Sequence, residues 1–569
     1  MRYLYKTLLV LFYFVIYTQC TTKTKSSFTD KYDLNFDLQQ KKTLTWTTDQ
    51  SYLFNFGQDT TQTINGKHPM YFFQIFNKRN PIKMDGAIEQ NILLPEIKAD
   101  TICVYLRCKS KNLDIARLII SGIDEGERVL YSDTLSILGS YGFAWEAFSK
   151  LVPKCDLAFL NLRIEATGIN SNSDQYLYLD KMEIKIDGKD INDFPQRTIP
   201  IISNKKKSDI IPLSFLDNNN FKTISELRDK KIVAIGETIH GSETITQAAV
   251  QLIKYQIENN HCKLIVFEQP IELFLRYNRF IQGDTQFKIE NFKRDLSLAS
   301  SSPRVMVELL NWLKQYNEKA KDKVWLMGMD ISKEGSYAAE WLYDYIYKIN
   351  LSKKNKLMNS LCSKLVKFES FPLALNILEK NKEIENILGK NDYQTLVYCL
   401  KMYISAYRTD IPSYSLSRDK EMYSNVSFFL NLLCPENEKA IIFAHFIHTN
   451  YLNTDPFFPY SKSFGSYMKR KFGRDYYNIA ILTGEGSFML RNKNSFFEYG
   501  LEIPPKNSME NMFMQTNKEY CFKPISTLVP QLTYMRSYGA FLNREQFKLI
   551  APSSRMDGAI FVRKSAGFN

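Results

Sequence analysis

Two patterns of apolar and polar residues divide this chain. Over residues 33–193, apolar and polar positions alternate in short runs broken by polar turns. Thr101–Leu106 (TICVYL), Ala116–Ile120 (ARLII), Ala158–Ile164 (AFLNLRI) and Leu177–Ile186 (LYLDKMEIKI) are such runs, rich in β-branched and aromatic residues. Alternation gives each run one face for a core and one for water, so the pattern predicts an antiparallel β-sandwich of jelly-roll type. Residues 194–213, with Asn204-Lys205-Lys206-Lys207 inside them, read as a linker.

Over residues 214–569 the pattern becomes strand, helix, strand. Five apolar runs have no alternation: Ile232–Ile235, Leu264–Phe267, Val324–Met327, Ala440–Phe443 and Tyr477–Leu482. Continuous apolar runs separated by helical stretches are what a parallel sheet covered on both faces requires. This second unit is therefore read as an α/β domain with a mostly parallel sheet, able to fold apart from the sandwich. A helical insertion is expected over about residues 351–433, where apolar positions recur at helical spacing in Leu373–Leu378 and Leu396–Tyr407. It reads either as a packing layer or as a lid over the strand ends, with Arg418 reaching inward.

The first residues carry an export signal. A basic start, Met1–Lys6, leads into the apolar run Thr7–Thr18 (TLLVLFYFVIYT), which is of signal-peptide length. The run ends at Gln19-Cys20, followed by polar TTKTKSS, and this resembles a lipoprotein cleavage site with Cys20 as the lipidated residue. The expectation is an exported protein of the bacterial cell envelope, held to a membrane by a lipid on Cys20.

Composition narrows the picture. At 44% hydrophobic and 24% charged residues the chain is globular rather than disordered, and a mean hydropathy of −0.30 excludes a polytopic membrane protein. The net charge of +13 comes from lysines scattered along the chain, so no nucleic-acid partner is expected. Nine cysteines include no CxxC pair, which removes zinc-ribbon and thioredoxin readings. A disulfide among Cys103, Cys108 and Cys155 stays open.

The chemistry gathers where the apolar runs end. Glu237 and His240 follow the first run, Glu268 the second, Asp330 the third, and His445 and His448 the fourth. Ligands of open parallel sheets bind beyond the carboxyl ends of the strands. Only five histidines occur in the chain, and three of them stand at these ends, while His68 and His261 look incidental. No Gly-x-Ser-x-Gly elbow is present, so a serine nucleophile is not expected. A histidine steadied by Glu268 or Glu237 could deprotonate water; the rival is a Zn²⁺ site built from His240, His445, His448 and a carboxylate.

These residues carry a resemblance. Gly236-Glu237-Thr238-Ile239-His240-Gly241, Phe267-Glu268, Gly328-Met329-Asp330, Arg418-Asp419 with Met422 and Asn425, and Ala444-His445-Phe446-Ile447-His448 resemble, in this order, the motif series of the erythromycin esterase family. Glu308–Leu313 with Asn317, Phe464–Tyr467 and Asp557–Ile560 fit the same series. The resemblance implies hydrolysis of a small-molecule carboxylic ester or lactone without a covalent enzyme intermediate and without a cofactor. It implies His240 as the residue that activates water, Glu237 and Glu268 as the acids that orient it or handle protons, and His445 and His448 as the paired histidines. Arg418 and Asp330 are the expected substrate contacts. Where the family usually has Asn, this chain has Phe446, and the family's arginine after the His-Gly step is missing from Thr246–Gln251. Both departures lead to an expectation of altered substrate contacts. The segment Tyr178–Ile184, ending in Asp187-Gly188, resembles the last strand of carbohydrate-binding jelly rolls, which leaves open a purely structural sandwich or one that holds a glycan. The wider alternatives are a non-catalytic glycan- or peptide-binding surface lipoprotein and a metal-dependent hydrolase using the same residues.

The lipid anchor has a direct check. Cys20→Ala should move the protein from the membrane pellet to the soluble fraction, and unchanged retention in the pellet would exclude the anchor.

Overall fold

A computed structural model describes residues 32–568, apart from isolated positions and short segments, chiefly 37–45, 49–53, 65–68, 75–84, 140–143, 169–174, 202–208, 298–300, 332–334, 409–413, 435–437, 453–461 and 538–545. The expected leader and Cys20, and also His68, lie outside the described residues. Among the described residues no helix is long and apolar enough to cross a membrane. The eight cysteines from Cys103 to Cys521 are free thiols, so the disulfide left open above does not form.

The alternating runs of the N-terminal half form two antiparallel sheets. One orders the strands Thr47–Thr48, Asp85–Leu93, Phe159–Gly168, Leu113–Ile123 and Val129–Ser136. The other orders Phe54–Gln58, Met70–Gln74, Tyr176–Ile186, Ile102–Lys111 and Glu146–Val152. Val104, Leu106, Leu179 and Ile184 from one sheet and Ile88, Leu118, Ile120 and Leu160 from the other share one buried core. Leu532, Leu549 and Ala551, from the far end of the chain, complete that core. The expected linker at residues 194–213 thus separates two strand patterns, while the packing reaches across it.

The second half contains a mixed sheet with six parallel strands, one more than the apolar runs suggested. They are β1 (Ile232–Glu237), β2 (Cys262–Pro270), β3 (Trp325–Asp330), β4 (Lys439–His445), β5 (Tyr476–Asn492) and β6 (Gly558–Ser565). Their order across the sheet is β6-β5-β1-β4-β2-β3, with antiparallel Tyr520–Pro524 and Ile211–Pro212 beyond β6. The last part of the expected linker is therefore an edge strand. Both faces are covered: Ile479 and Ile481 of β5 enter the large core, and Ala480 and Leu482 enter a second cluster on the opposite face. That two-sided burial is why these strands read as unbroken apolar runs. The Asp557–Ile560 motif hid β6, because its short apolar stretch follows a turn instead of a helix.

Helix α1 (Glu243–Asn260) follows β1, and α2 (Ile271–Ile281) follows β2. Ser242 caps α1, its hydroxyl accepting from the Ile245 N–H at 3.1 Å. The insertion is helical as expected, and its last member, α3 (Tyr414–Leu433), packs against β3 and β2. A single turn, α4 (Phe446–Thr449), leaves β4 and lies against β1. That contact needs Gly236, since a Cβ there would stand 2.4 Å from Thr449 Oγ1.

Gly241, the turn between β1 and α1, has φ +78° and no room beside it, for a Cβ would stand 2.0 Å from the Met489 carbonyl oxygen. Gly241→Ala should lower unfolding stability by about 2–4 kcal/mol, combining the backbone penalty with overpacking. Chemical denaturation measures this, and a loss under about 0.5 kcal/mol, an ordinary surface effect, would show that the turn is not so confined.

Candidate active site

Four neighbouring strands bring their carboxyl ends together in the order β1, β4, β2, β3. Glu237 and His445 are in register as direct neighbours on β1 and β4. Three residues past Glu237, His240 turns back so that its Nδ1 lies 2.7 Å from Glu237 Oε1. Its ring centroid is 4.7 Å from that of His445. Register between β2 and β3 slips between Phe267 and Pro270, and Glu268 lies in this irregularity, where a bulge can re-aim a side chain.

The insertion supplies the remaining charge. Arg418 on α3 donates from Nε and Nη2 to Asp330 Oδ2, at 2.9 and 2.7 Å. Nη2 also donates to Glu268 Oε1 at 2.9 Å, and Nη1 stands 3.0 Å from His448 Nε2. Glu268 Oε2 accepts the His445 backbone N–H at 2.8 Å. Asp419, the next residue on α3, places both carboxylate oxygens 3.0 Å from His448 Nδ1 and accepts the Phe464 N–H at 2.6 Å. His445 Nδ1 accepts the Ile447 N–H at 3.3 Å, so this ring caps α4.

All seven residues singled out from the sequence are thus in one network, Glu237, His240, Glu268, Asp330, Arg418, His445 and His448. The structure decides between the two acids offered for His240: Glu237 holds the imidazole, while Glu268 is occupied by Arg418, His448 and a backbone N–H. Asp330 and Arg418 bind each other, so each would meet a substrate only as part of that pair. Asp419 was visible in the Arg-Asp motif but lacked an assigned partner, because its link to His448 joins residues 29 positions apart. Phe446, at the position where the family usually has Asn, is buried in the second core with Leu482, Met512 and Phe561 and serves as a packing residue. Lys254, the basic residue nearest the missing arginine, lies over the Trp312 ring.

Burial and pairing set the protonation states. Burial disfavours the His448 imidazolium, but Asp419 and Glu268 outweigh it and push its pKa up to about 9. For Glu268, burial acts upward, and His448, Arg418 and His240 together hold it well below the usual carboxylate range. Burial raises Glu237, only partly offset by His240. His240 is disfavoured as a cation by burial, yet the Glu237 carboxylate beside it gives a net upward shift. Glu237 Oε2 is buried without a hydrogen-bond partner.

With this geometry in hand, likeness to known proteins is informative. The family model described as erythromycin esterase matches residues 257–385 and 374–565, more than half of the chain. The chain belongs to the erythromycin esterase family. A Bacillus subtilis (strain 168) protein provisionally named a hydrolase, YbfO, is 23% identical over 336 residues, 52% of this chain and 74% of its own. A Bacillus cereus protein of solved structure shares the fold at TM-score 0.50 and 19% identity, covering 63% of this chain and 96% of its own. An erythromycin esterase mutant in its open conformation aligns at TM-score 0.43 and 16% identity over 62% of this chain and 95% of its own. This is a hydrolase family, and its match spans the strand ends that carry Glu268, Asp330, His445 and His448.

Because folding raises the His448 pKa, protonated His448 stabilises the fold. That contribution is complete below the ordinary value of about 6.5 and is lost as pH rises through about 9. Asp419→Asn should shrink this alkaline loss by about 1–3 kcal/mol between pH 6.5 and 9.5. Unfolding measured at both pH values reports it, and identical pH dependence in parent and variant would contradict the pairing.

Proposed function

We propose that this protein hydrolyses a carboxylic ester or lactone with water activated by His240. The observation that carries the reading is the His240–Glu237 pair, joined at 2.7 Å. The His240 side chain is 14% exposed, against 5% for His448, and His445 is 1% exposed as a residue. Of the three imidazoles it alone is both held by a carboxylate on Nδ1 and able to present Nε2 to water.

In the proposed reaction Nε2 takes a proton from water as the water oxygen attacks the carbonyl carbon. Glu237 steadies the imidazolium so formed. The negative charge arising on the carbonyl oxygen is met by the Arg418 guanidinium, 21% exposed, with protonated His448 behind it. The tetrahedral intermediate then collapses, the C–O bond breaks, and His240 returns its proton to the leaving alkoxide. The products are a carboxylic acid and an alcohol, or one hydroxy acid from a lactone.

Metal-free chemistry is part of this reading. Arg418 lies 2.7–3.0 Å from Asp330, Glu268 and His448, so a divalent cation among those ligands would have to displace the guanidinium. Among the described residues, no group of three His, Cys, Asp or Glu side chains is arranged to hold a metal ion. The leader would deliver the activity to the cell envelope, with the lipid on Cys20 as its tether.

His240→Ala should lower the rate on a responsive ester by about 10²–10⁴-fold, while a chelator leaves the parent unchanged. Because Glu237 raises His240, activity should fall on the acid side with a midpoint above about 6.5. Glu237→Gln should lower the rate and move that limb toward lower pH. A screen of esters and lactones measures all three. A His240→Ala rate within a few-fold of the parent would sink the assignment in favour of a binding protein, and loss of activity with chelator would favour the metal reading.

A further inference from the structure

The hydrolase unit and the sandwich meet at a buried ion pair. The turn Asp124–Arg128 is closed by Asp124 Oδ1, which accepts the Gly126 and Arg128 N–H groups at 2.9 and 2.8 Å. This turn presents Glu127, in the left-handed region at φ +60°, to the C-terminal segment. Glu127 Oε2 accepts from Arg555 Nε at 2.7 Å and from the Ala551 N–H at 2.8 Å, and Oε1 accepts from Arg555 Nη2 at 2.8 Å. Both side chains are nearly inaccessible, at 4% and 2%. A fork-to-fork pair of this kind fixes orientation as well as charge.

Arg555 passes that orientation on. Its Nη1 donates to Asn450 Oδ1 at 2.9 Å, and its carbonyl accepts the Tyr451 N–H at 3.1 Å. Asn450 is the C-cap of α4, and its Nδ2 donates to the carbonyls of Ile447 and Phe446 at 2.7 and 3.3 Å. His448 lies within that single turn, whose other end is capped by His445. Four residues cannot sustain a helix by their own hydrogen bonds, so these two caps hold the His448 backbone in place.

We infer that Glu127, contributed by the sandwich, is a positioning residue for the active site, acting through Arg555 and Asn450 on the turn that carries His448. The sandwich is then a structural part of the hydrolase site. The inference rests on the proposed hydrolysis only for its kinetic readout.

The test compares two substitutions in the full chain. Glu127→Gln removes the charge from the link, and Glu89→Gln breaks the buried Arg163–Glu89 pair, which joins two strands within the sandwich. The expected result is that Glu127→Gln lowers kcat by about 10-fold or more, with KM little changed, since small misplacement of reacting groups is costly. The His448 imidazole titration, followed by NMR, should shift as well. Glu89→Gln, even at a similar loss of Tm, should change neither. Asn450→Ala cuts the same link while leaving the ion pair intact, and serves if Glu127→Gln does not fold. A shifted titration in a parent that hydrolyses no ester would retain the positioning role and overturn only the proposed reaction. An unmoved His448 titration in both Glu127→Gln and Asn450→Ala would overturn the inference.

Discussion

A guanidinium surrounded by carboxylates at the sheet's edge is the interaction on which the rest of the site depends. The parallel sheet delivers Glu237, Glu268 and Asp330 to one end, where two or more unpaired negative charges in a partly buried space would be costly. Arg418 meets two of them directly, and protonated His448 meets Glu268 from the other side. The helical insertion is therefore more than a packing layer: α3 carries both Arg418 and Asp419, and so supplies the cation and the carboxylate that keeps His448 charged.

That distribution divides three similar imidazoles among three tasks. His448, between Asp419 and Glu268, is held as a cation. His445 spends Nδ1 on the first turn of α4. His240, with a single carboxylate on Nδ1 and the most open position, is the one suited to exchange protons. The division comes from neighbours rather than from the rings, which is how one residue type can be paired as a cation, cap a helix and keep a more open place beside a single carboxylate within one site.

The network also binds the architecture together. Helix α4 rests on β1 through Gly236, is capped by His445 and Asn450, and is tied through Arg555 to a turn of the sandwich. Leu532, Leu549 and Ala551 fill part of the sandwich core from the opposite end of the sequence. Chain order thus separates the two units more cleanly than their packing does.

Much of this was written in the sequence. Period-2 alternation and unbroken apolar runs identified the two sheet types, because burial on one face or on both leaves a direct trace in residue order. The ends of those runs located every strand-end acid and histidine of the site, and helical spacing placed Arg418 on an insertion above them. Pairing was not legible. Which acid holds His240, that Asp419 holds His448, that Phe446 faces a core and that Glu127 reaches Arg555 across 428 positions all depend on side-chain direction and long-range packing. Local patterns record how each segment meets water; only the folded chain decides which charges share a space, and that sharing sets the protonation of each group at the site.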